Sequence, residues 1–284
     1  MKRFYVIIDT ESVVAKDEHR RYQQAERFSP RAGQRDSGRR QGQRGRNDPL
    51  TQPRWMFQEV MVASVMICAS HPDGNIVPVT FETFSAPDLD EREILKSIFR
   101  LVDDLPPEST ELVTYGGCWA DVPLIVIRAM KYGLKLPKAW APWMPWGGQG
   151  KVPHVDLMRN LTGSSKMKAS HMAEFAAVLD LPVKMTAEAW RAAEFIRNRR
   201  WDRVSLMCES DCITTALLFA SWRTTFEDRS ALLVVQDRVC RAIEELRPGR
   251  SYLVALRQKR REIHAELELE AKRMNEIVGL PTAA

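Results

Sequence analysis

The chain has 284 residues, 44% of them apolar, and a formal net charge of +5. That is more than one typical domain and less than two large ones, with enough apolar residues to bury a core. Its five cysteines (Cys68, Cys118, Cys208, Cys212, Cys240) are odd in number and form no CxxC pair, which argues against a disulfide framework or a structural zinc site and fits reduced thiols in the cytoplasm. No apolar run reads as a membrane span, so no membrane partner is expected.

The opening MKRFYVIIDTES superficially has the look of a signal peptide, but Asp9 and Glu11 cut the apolar stretch short and no small-residue cleavage site follows. Residues 4–8 therefore read as a buried first strand. Residues 16–54 change character. They hold eleven Lys/Arg and five Asp/Glu, a local excess of +6 beside a body of net −1. Rich in Arg, Gly and Gln and poor in aliphatics, this stretch predicts a disordered basic insertion with a polyanionic partner, most simply nucleic acid. Order returns at Trp55. Val60, Val62, Val65 and Ile67 make a strand, HPDGN at 71–75 a turn, and 76–84 the returning strand. Asp90 is placed to cap a helix carrying Ile94, Leu95, Ile98, Phe99 and Val102 at helical spacing. Residues 112–115 form a further strand closed by Gly116-Gly117, and a helix from about 119 to 132 ends at Gly133. Beyond a Trp/Pro/Gly-rich loop at 137–150, helices are expected at 170–179, 186–198 and about 203–226. Strands first and helices later, with helix–strand–helix between, is an α/β order with a mixed sheet. The tail reads as two helices, 227–246 and 251–278, around Pro248-Gly249. Positions 253, 256, 260, 263, 267, 270, 274 and 277 are apolar except Arg260 and Glu270. That seam can pack on the body or on a second copy, as a homodimer or partner surface.

The chemistry rests on acids. Asp9 and Glu11 stand two apart on a strand, so both carboxylates point to one face and can meet one metal centre. Alone, that triplet carries little. Downstream, TYGGCWADVPLI brings Asp121 into a helix behind a glycine pair, and CESDCITTALLF sets Asp211 on an otherwise apolar helix. A carboxylate there is costly unless a cation or donor compensates it. Oxygen ligands without Cys/His clusters favour Mg²⁺ or Mn²⁺ over zinc. Four carboxylates can hold two such ions about 4 Å apart for in-line displacement at phosphorus.

With DTE at 9–11, TYGGCWADVPLI at 114–125 and CESDCITTALLF at 208–219, the chain resembles the DEDD (DnaQ-like) 3′–5′ exonuclease superfamily. HVDLMRNLTG at 154–163 and KASHMAEFAAVLDLPVK at 168–184 are similar to the branch of the proofreading exonuclease of family-B DNA polymerases. The resemblance covers about residues 1–225 and leaves a helical tail at 226–284. It implies a ribonuclease-H-like fold, two divalent metal ions on Asp9, Glu11, Asp121 and Asp211 as metal ligands and catalytic residues, and release of nucleotides from 3′ ends, single-stranded DNA being the favoured substrate. One departure stands out. The tyrosine-bearing subclass has Tyr four residues before the last Asp, where this chain has Met207, and the histidine-bearing subclass has His five before, where it has Leu206. Neither side chain can orient or deprotonate water. Glu209, rotated by about 200° from the face of Met207 and Asp211, is no substitute. The alternatives are therefore a catalytically weakened module that binds nucleic-acid ends or a partner protein, and a ribonuclease on the same scaffold.

Around the acids, Thr10, Gly117, Trp146, Arg39 and Arg40 are candidate nucleic-acid contacts. Trp140, Trp143 and Trp146 are candidates for stacking on unpaired bases or for plugging their loop onto the core. His154 and Asp156 read first as a structural pair, with a supporting role at the site as the functional reading. His154 and His171 are the alternative water-handling residues. His171 itself reads first as a capping residue.

Overall fold

A computed structural model describes residues 2–28, 50, 52–73, 75–143, 154–163 and 170–278. The first strand, β1 (Phe4–Val14), is flanked by β2 (Gln58–Ser70), β3 (Ile76–Ser85), β4 (Thr110–Thr114) and β5 (His154–Asp156) in the order β3-β2-β1-β4-β5. β1 pairs antiparallel with β2, and β2 with β3, while β1, β4 and β5 run parallel. This mixed five-stranded sheet flanked by helices is the ribonuclease-H-like arrangement expected. The β2–β3 hairpin closes at the anticipated turn, where His71 N–H donates to the Asn75 carbonyl at 2.7 Å.

The period-two alternation of β1 decides what lies on each face. Val6 and Ile8 face one core with Ile94, Leu95 and Ile125, contributed by α2 (Glu91–Asp103) and α3 (Asp121–Tyr132). Asp90 caps α2 as its sequence position suggested, accepting the Glu93 N–H at 2.9 Å. Gly133 ends α3 in the left-handed region at φ 61°, where a Cβ is unwelcome. Tyr5 and Ile7 face the opposite core, beneath α7 (Trp201–Arg223), with α4 (Leu157–Thr162), α5 (Met172–Val178) and α6 (Ala192–Arg197) on the way to it. The tail helices α8 (Arg229–Leu246) and α9 (Leu253–Val278) join this second core: Val239, Ile243, Tyr252 and Leu256 belong to the same buried cluster as Tyr5 and Ile7. Of the α9 seam, Leu253, Leu256 and Ile263 are buried.

Two expectations are corrected. Trp201–Arg223 is in fact long and apolar enough to cross a membrane. Its 83% buried window and its position across the sheet make it a core helix. The basic insertion does not begin at residue 16, because Lys16–Phe28 forms α1. Its residues reach tertiary partners that composition could not reveal. The Glu18 carboxylate takes Arg128 Nη1 and Lys131 Nζ, each at 2.6 Å, and His19 and Tyr22 pack their rings on Phe57 at 5.2 Å. The stretch at 29–49, including Arg39 and Arg40, lies outside the described residues.

Arg128, on α3 and only 2% exposed, is the hub of this corner. Its Nε donates to Glu91 Oε1 at 2.7 Å, and the same oxygen accepts the Val60 N–H at 2.7 Å. One buried ion pair thus joins α2, α3 and β2. Removing one member strands a buried charge. Arg128→Met is therefore expected to cost about 3–5 kcal/mol in denaturant unfolding, against under about 1 kcal/mol for the exposed Arg200→Met. Similar costs for both variants would show that the pair does not organise this corner.

Candidate active site

The carboxylates assemble along the second half of β1, which continues past them to Val14. Asp9 and Glu11 follow Tyr5 and Ile7 on the face toward α7, and the strand shifts register just beyond them, between Glu11 and Ser12. The helix lies antiparallel to the strand. Phe219 packs on Tyr5 with ring centroids 5.1 Å apart. Nearer the helix start, Cys212 Sγ donates to the Ser64 carbonyl and Cys208 Sγ to that of Asp9, both at 3.2 Å. Those two thiols are thus buried seats for the helix rather than ligands. Asp211, between them in sequence, turns to the strand's acids. Asp9, Glu11 and Asp211 each place one carboxylate oxygen within 4.8 Å of the others.

Asp121 arrives from the other face of the sheet, as the first residue of α3. The Thr10 backbone N–H and hydroxyl both donate to its Oδ1, at 3.1 and 2.5 Å. The loop before it is shaped by Asp156, whose buried carboxylate accepts the N–H groups of Gly116 (3.1 Å), Cys118 (2.9 Å) and Arg159 (3.1 Å). Gly117 is required on steric grounds, since a Cβ there would meet the Thr114 side chain at 2.7–2.9 Å. This is a backbone role; the structure shows no more for it as a nucleic-acid contact.

Burial and mutual repulsion act together on the acids. Desolvation is the largest cause raising Asp9 well above the usual carboxylate range, followed by the charges of Asp121, Asp211 and Glu11. Desolvation and Asp211 push Glu11 up to about 7. Asp121 and Asp211 are raised as well, chiefly by burial. Lys184 is the one residue here that sequence reading missed. Its Nζ sits 2.5 Å from Asp211 Oδ2 and lowers both Asp211 and Glu11. The segment bearing it is pinned to α7, with Met185 N–H donating to Ser210 Oγ at 3.2 Å and Thr214 Oγ1 to the Pro182 carbonyl at 2.9 Å. Lys184 adopts φ 48°, an uncommon value for a residue with a Cβ. No sequence signal marks such a position. The other oxygen, Asp211 Oδ1, is buried without a hydrogen-bond partner. A buried bare carboxylate oxygen among three other acids suits a hard divalent cation.

The remaining candidates separate. His154 pairs through Leu112 to the level of Val6, three residues, or about 10 Å, before Asp9 along the sheet. Its Nε2 is hydrogen-bonded to Thr114 Oγ1 at 2.9 Å, so the structural reading of His154 and Asp156 is the one the geometry supports. His171 caps α5, its N–H donating to Glu174 at 3.1 Å. Met207 stands one turn before Asp211, 4% exposed and packed among Val62, Phe195, Val204 and Cys208. Glu209 does point away, accepting from Thr83 Oγ1 at 2.9 Å and Arg247 Nη2 at 2.5 Å. Trp140 is fully buried against Phe99, which leaves it no base to stack on. Trp146 and the Trp143 side chain lie outside the described residues. Trp119, two residues before Asp121, is 58% exposed.

Two expectations follow from the electrostatics. A carboxylate whose folded pKa is raised favours the fold when protonated, so metal-free stability is lost as pH rises through the window from its ordinary value to its raised one. For Glu11 that window runs from 4.5 to about 7. His154, held low by burial, acts in the opposite sense, so the comparison must isolate Glu11. Relative to the wild type, Glu11→Gln should gain melting temperature in EDTA on going from about pH 5 to about pH 8. Mg²⁺ or Mn²⁺ should stabilise the wild type far more at the upper pH. A metal effect independent of pH would contradict the assignment. Separately, Lys184→Ala should lower the metal-free melting temperature and enlarge the metal-induced rise, because an ammonium no longer offsets Asp211. An unchanged increment would make Lys184 incidental to the site.

Residues 54–237 match a family described as "Predicted 3'-5' exonuclease related to the exonuclease domain of PolB". The match includes Asp121, Lys184 and Asp211 and begins after Asp9 and Glu11. Comparison with curated proteins gives no match. Among solved structures, the family B DNA polymerase from the hyperthermophilic archaeon Pyrobaculum calidifontis is similar at 16% identity and a TM-score of 0.43, over 89% of this chain and 29% of that one. The chain thus spans less than a third of that polymerase. With well over half its length matched, the chain belongs to the family of predicted 3′–5′ exonucleases related to the exonuclease domain of PolB.

Proposed function

We propose that the protein hydrolyses single-stranded DNA from the 3′ end, using Asp9, Glu11, Asp121 and Asp211 to hold two divalent ions, Mg²⁺ or Mn²⁺. The observation that carries this reading is the cluster of Asp9, Glu11 and Asp211 within 4.8 Å, with Asp121 fixed beside it by Thr10. When bound, such ions supply an activated water and neutralise charge at phosphorus. The chain's own residues do the rest. The strand and the two helices bring the four acids to one place. Lys184 supplies a positive charge on the Asp211 side that a phosphate can also meet. Trp119 offers an exposed aromatic face on the Asp121 side, suited to an unpaired terminal base; such stacking is worth roughly 1–3 kcal/mol.

A second reading, a weakened member that binds 3′ ends without cleaving them, is favoured by one observation: Met207 is packed in apolar surroundings at the subclass position of a water-orienting residue. A DNA-against-RNA preference divides the first reading further, and both substrates belong in the test. Oligonucleotides labelled at the 3′ end, incubated with Mg²⁺ or Mn²⁺, should lose the label at once, and those labelled at the 5′ end should keep it while shortening stepwise from the 3′ end. Asp9→Ala or Asp211→Ala should slow this by roughly 10²-fold or more. Trp119→Ala should raise KM more than it lowers kcat. Intact strands with either metal, while the wild type still binds the 3′ end, would give the second reading precedence.

A further inference from the structure

We infer that the lobe around α6 and the start of α7 is the surface that grips the polynucleotide backbone behind the 3′ end, an inference that rests on the exonuclease reading and adds a binding site to it. Residues 190–203 hold five arginines and two acids, a local excess of +3. Arg197, Arg199, Arg200 and Arg203 are exposed. Arg200 and Arg203 share Asp202, while Arg197 and Arg199 have no acidic partner among the described residues. Trp190 is 72% exposed, with the Arg191 guanidinium 5.9 Å from its ring centre. Cations beside an open aromatic face are what a single strand needs: phosphates meet the charge and a base meets the ring.

Placement gives the patch its direction. Because α7 runs antiparallel to β1, with Phe219 at Tyr5 and Cys208 at Asp9, lower helix numbers lie beyond the carboxylate end of the strand. Arg203 and Arg200 precede Asp211 by eight and eleven residues, about 12 and 16 Å along the helix axis. A strand with its 3′ end at the acids can therefore lay its preceding phosphates across the lobe. The same segment continues, through Ala187 and Thr186, from Lys184 at the site. Arg199 adopts φ 53°, where glycine or asparagine is at ease and arginine is not. Nothing in the packing of this exposed side chain requires arginine there. A phosphate contact would.

That backbone gives a clean test. In the full-length chain carrying Asp9→Ala, so that substrate survives, binding of a fluorescent oligothymidylate is followed by anisotropy across a salt series. Arg197→Ala with Arg199→Gly should leave the melting temperature unchanged or higher, since glycine suits the left-handed position. It should weaken binding and flatten the slope of log affinity against log salt by about 1.4, two single-strand phosphate contacts. Trp190→Ala should weaken binding roughly 5-fold or more while leaving the slope alone. Unchanged affinity and slope in both variants, with the parent binding normally, would overturn the lobe and leave the exonuclease reading intact. No binding by the parent would overturn both. Flattened slopes in a protein that cleaves no 3′ end would keep the lobe and remove the exonuclease.

Discussion

Four carboxylates brought out of water around the central strand of a sheet repel one another, and the rest of the fold answers that constraint. Each acid is delivered by a different rigid element or fixed position: Asp9 and Glu11 by alternation along β1, Asp121 by the first turn of α3, Asp211 by the middle of α7. Delivery from both faces of the sheet matters. No single helix or strand has to carry all the like charges, and β1 is packed on one face with α3 and on the other with α7. The Asp156 carboxylate, which gathers three backbone N–H groups, fixes the loop leading into Asp121. Unlike the site acids, Asp156 is held below the usual range by those donors. Two carboxylates a few residues from the same loop thus have opposite fates, one satisfied by backbone and one raised by burial.

Much of this was legible in the sequence because the signals were periodic. The strand alternation around Asp9, the capped helix after Asp90, the stop at Gly133 and the apolar helix around Asp211 all follow from spacing and single-residue chemistry. Asp211 could be read as inward because its helix neighbours are apolar, and Glu209 as turned away from the Met207–Asp211 face because two residues turn a helix by about 200°. The missed elements depended on partners distant in sequence. The segment 16–28 is polar enough to pass for disorder, and partners distant in sequence, among them Arg128, Lys131, Phe57 and the Leu50 carbonyl, hold it on the body. Lys184 looks like any surface lysine until an irregular segment folds it back onto Asp211. Trp140 could not be told from an exposed stacking residue, since a Trp/Pro/Gly loop is compatible with either.

Sequence reading also put its nucleic-acid charge in the stretch of greatest arginine density. Density alone does not say where a charge stands relative to the acids. The arginines at 197–203 are fewer, yet the course of α7 places them beyond the same strand end as the acids. Charge that is close to the chemistry and oriented by a core helix acts on the substrate at a defined distance. Charge in a low-complexity stretch raises affinity without defining one.

The two sides of the site are compensated differently, and that asymmetry bears on how the protein survives without metal. Asp211 has a full positive charge beside one oxygen and nothing on the other. Asp121 has two neutral donors from Thr10 on one oxygen. Neutral donors moderate a carboxylate's charge less than a nearby ammonium does, although burial still leaves Asp211 raised. The repulsion therefore falls most heavily on Asp9, raised by the charges of Asp121, Asp211 and Glu11, while the Cys208 thiol donates to its backbone carbonyl. Asp9 is the residue for which a cation does most. It is also held by the backbone ladder, paired across β1 and β2 with Ser64, which opposes relief by moving it away. A site that cannot relax by rearrangement must take up either a proton or a cation. Burial and the Asp211 charge raise Glu11 to about 7, so a proton or, on the proposed reading, a divalent ion would relieve the same repulsion.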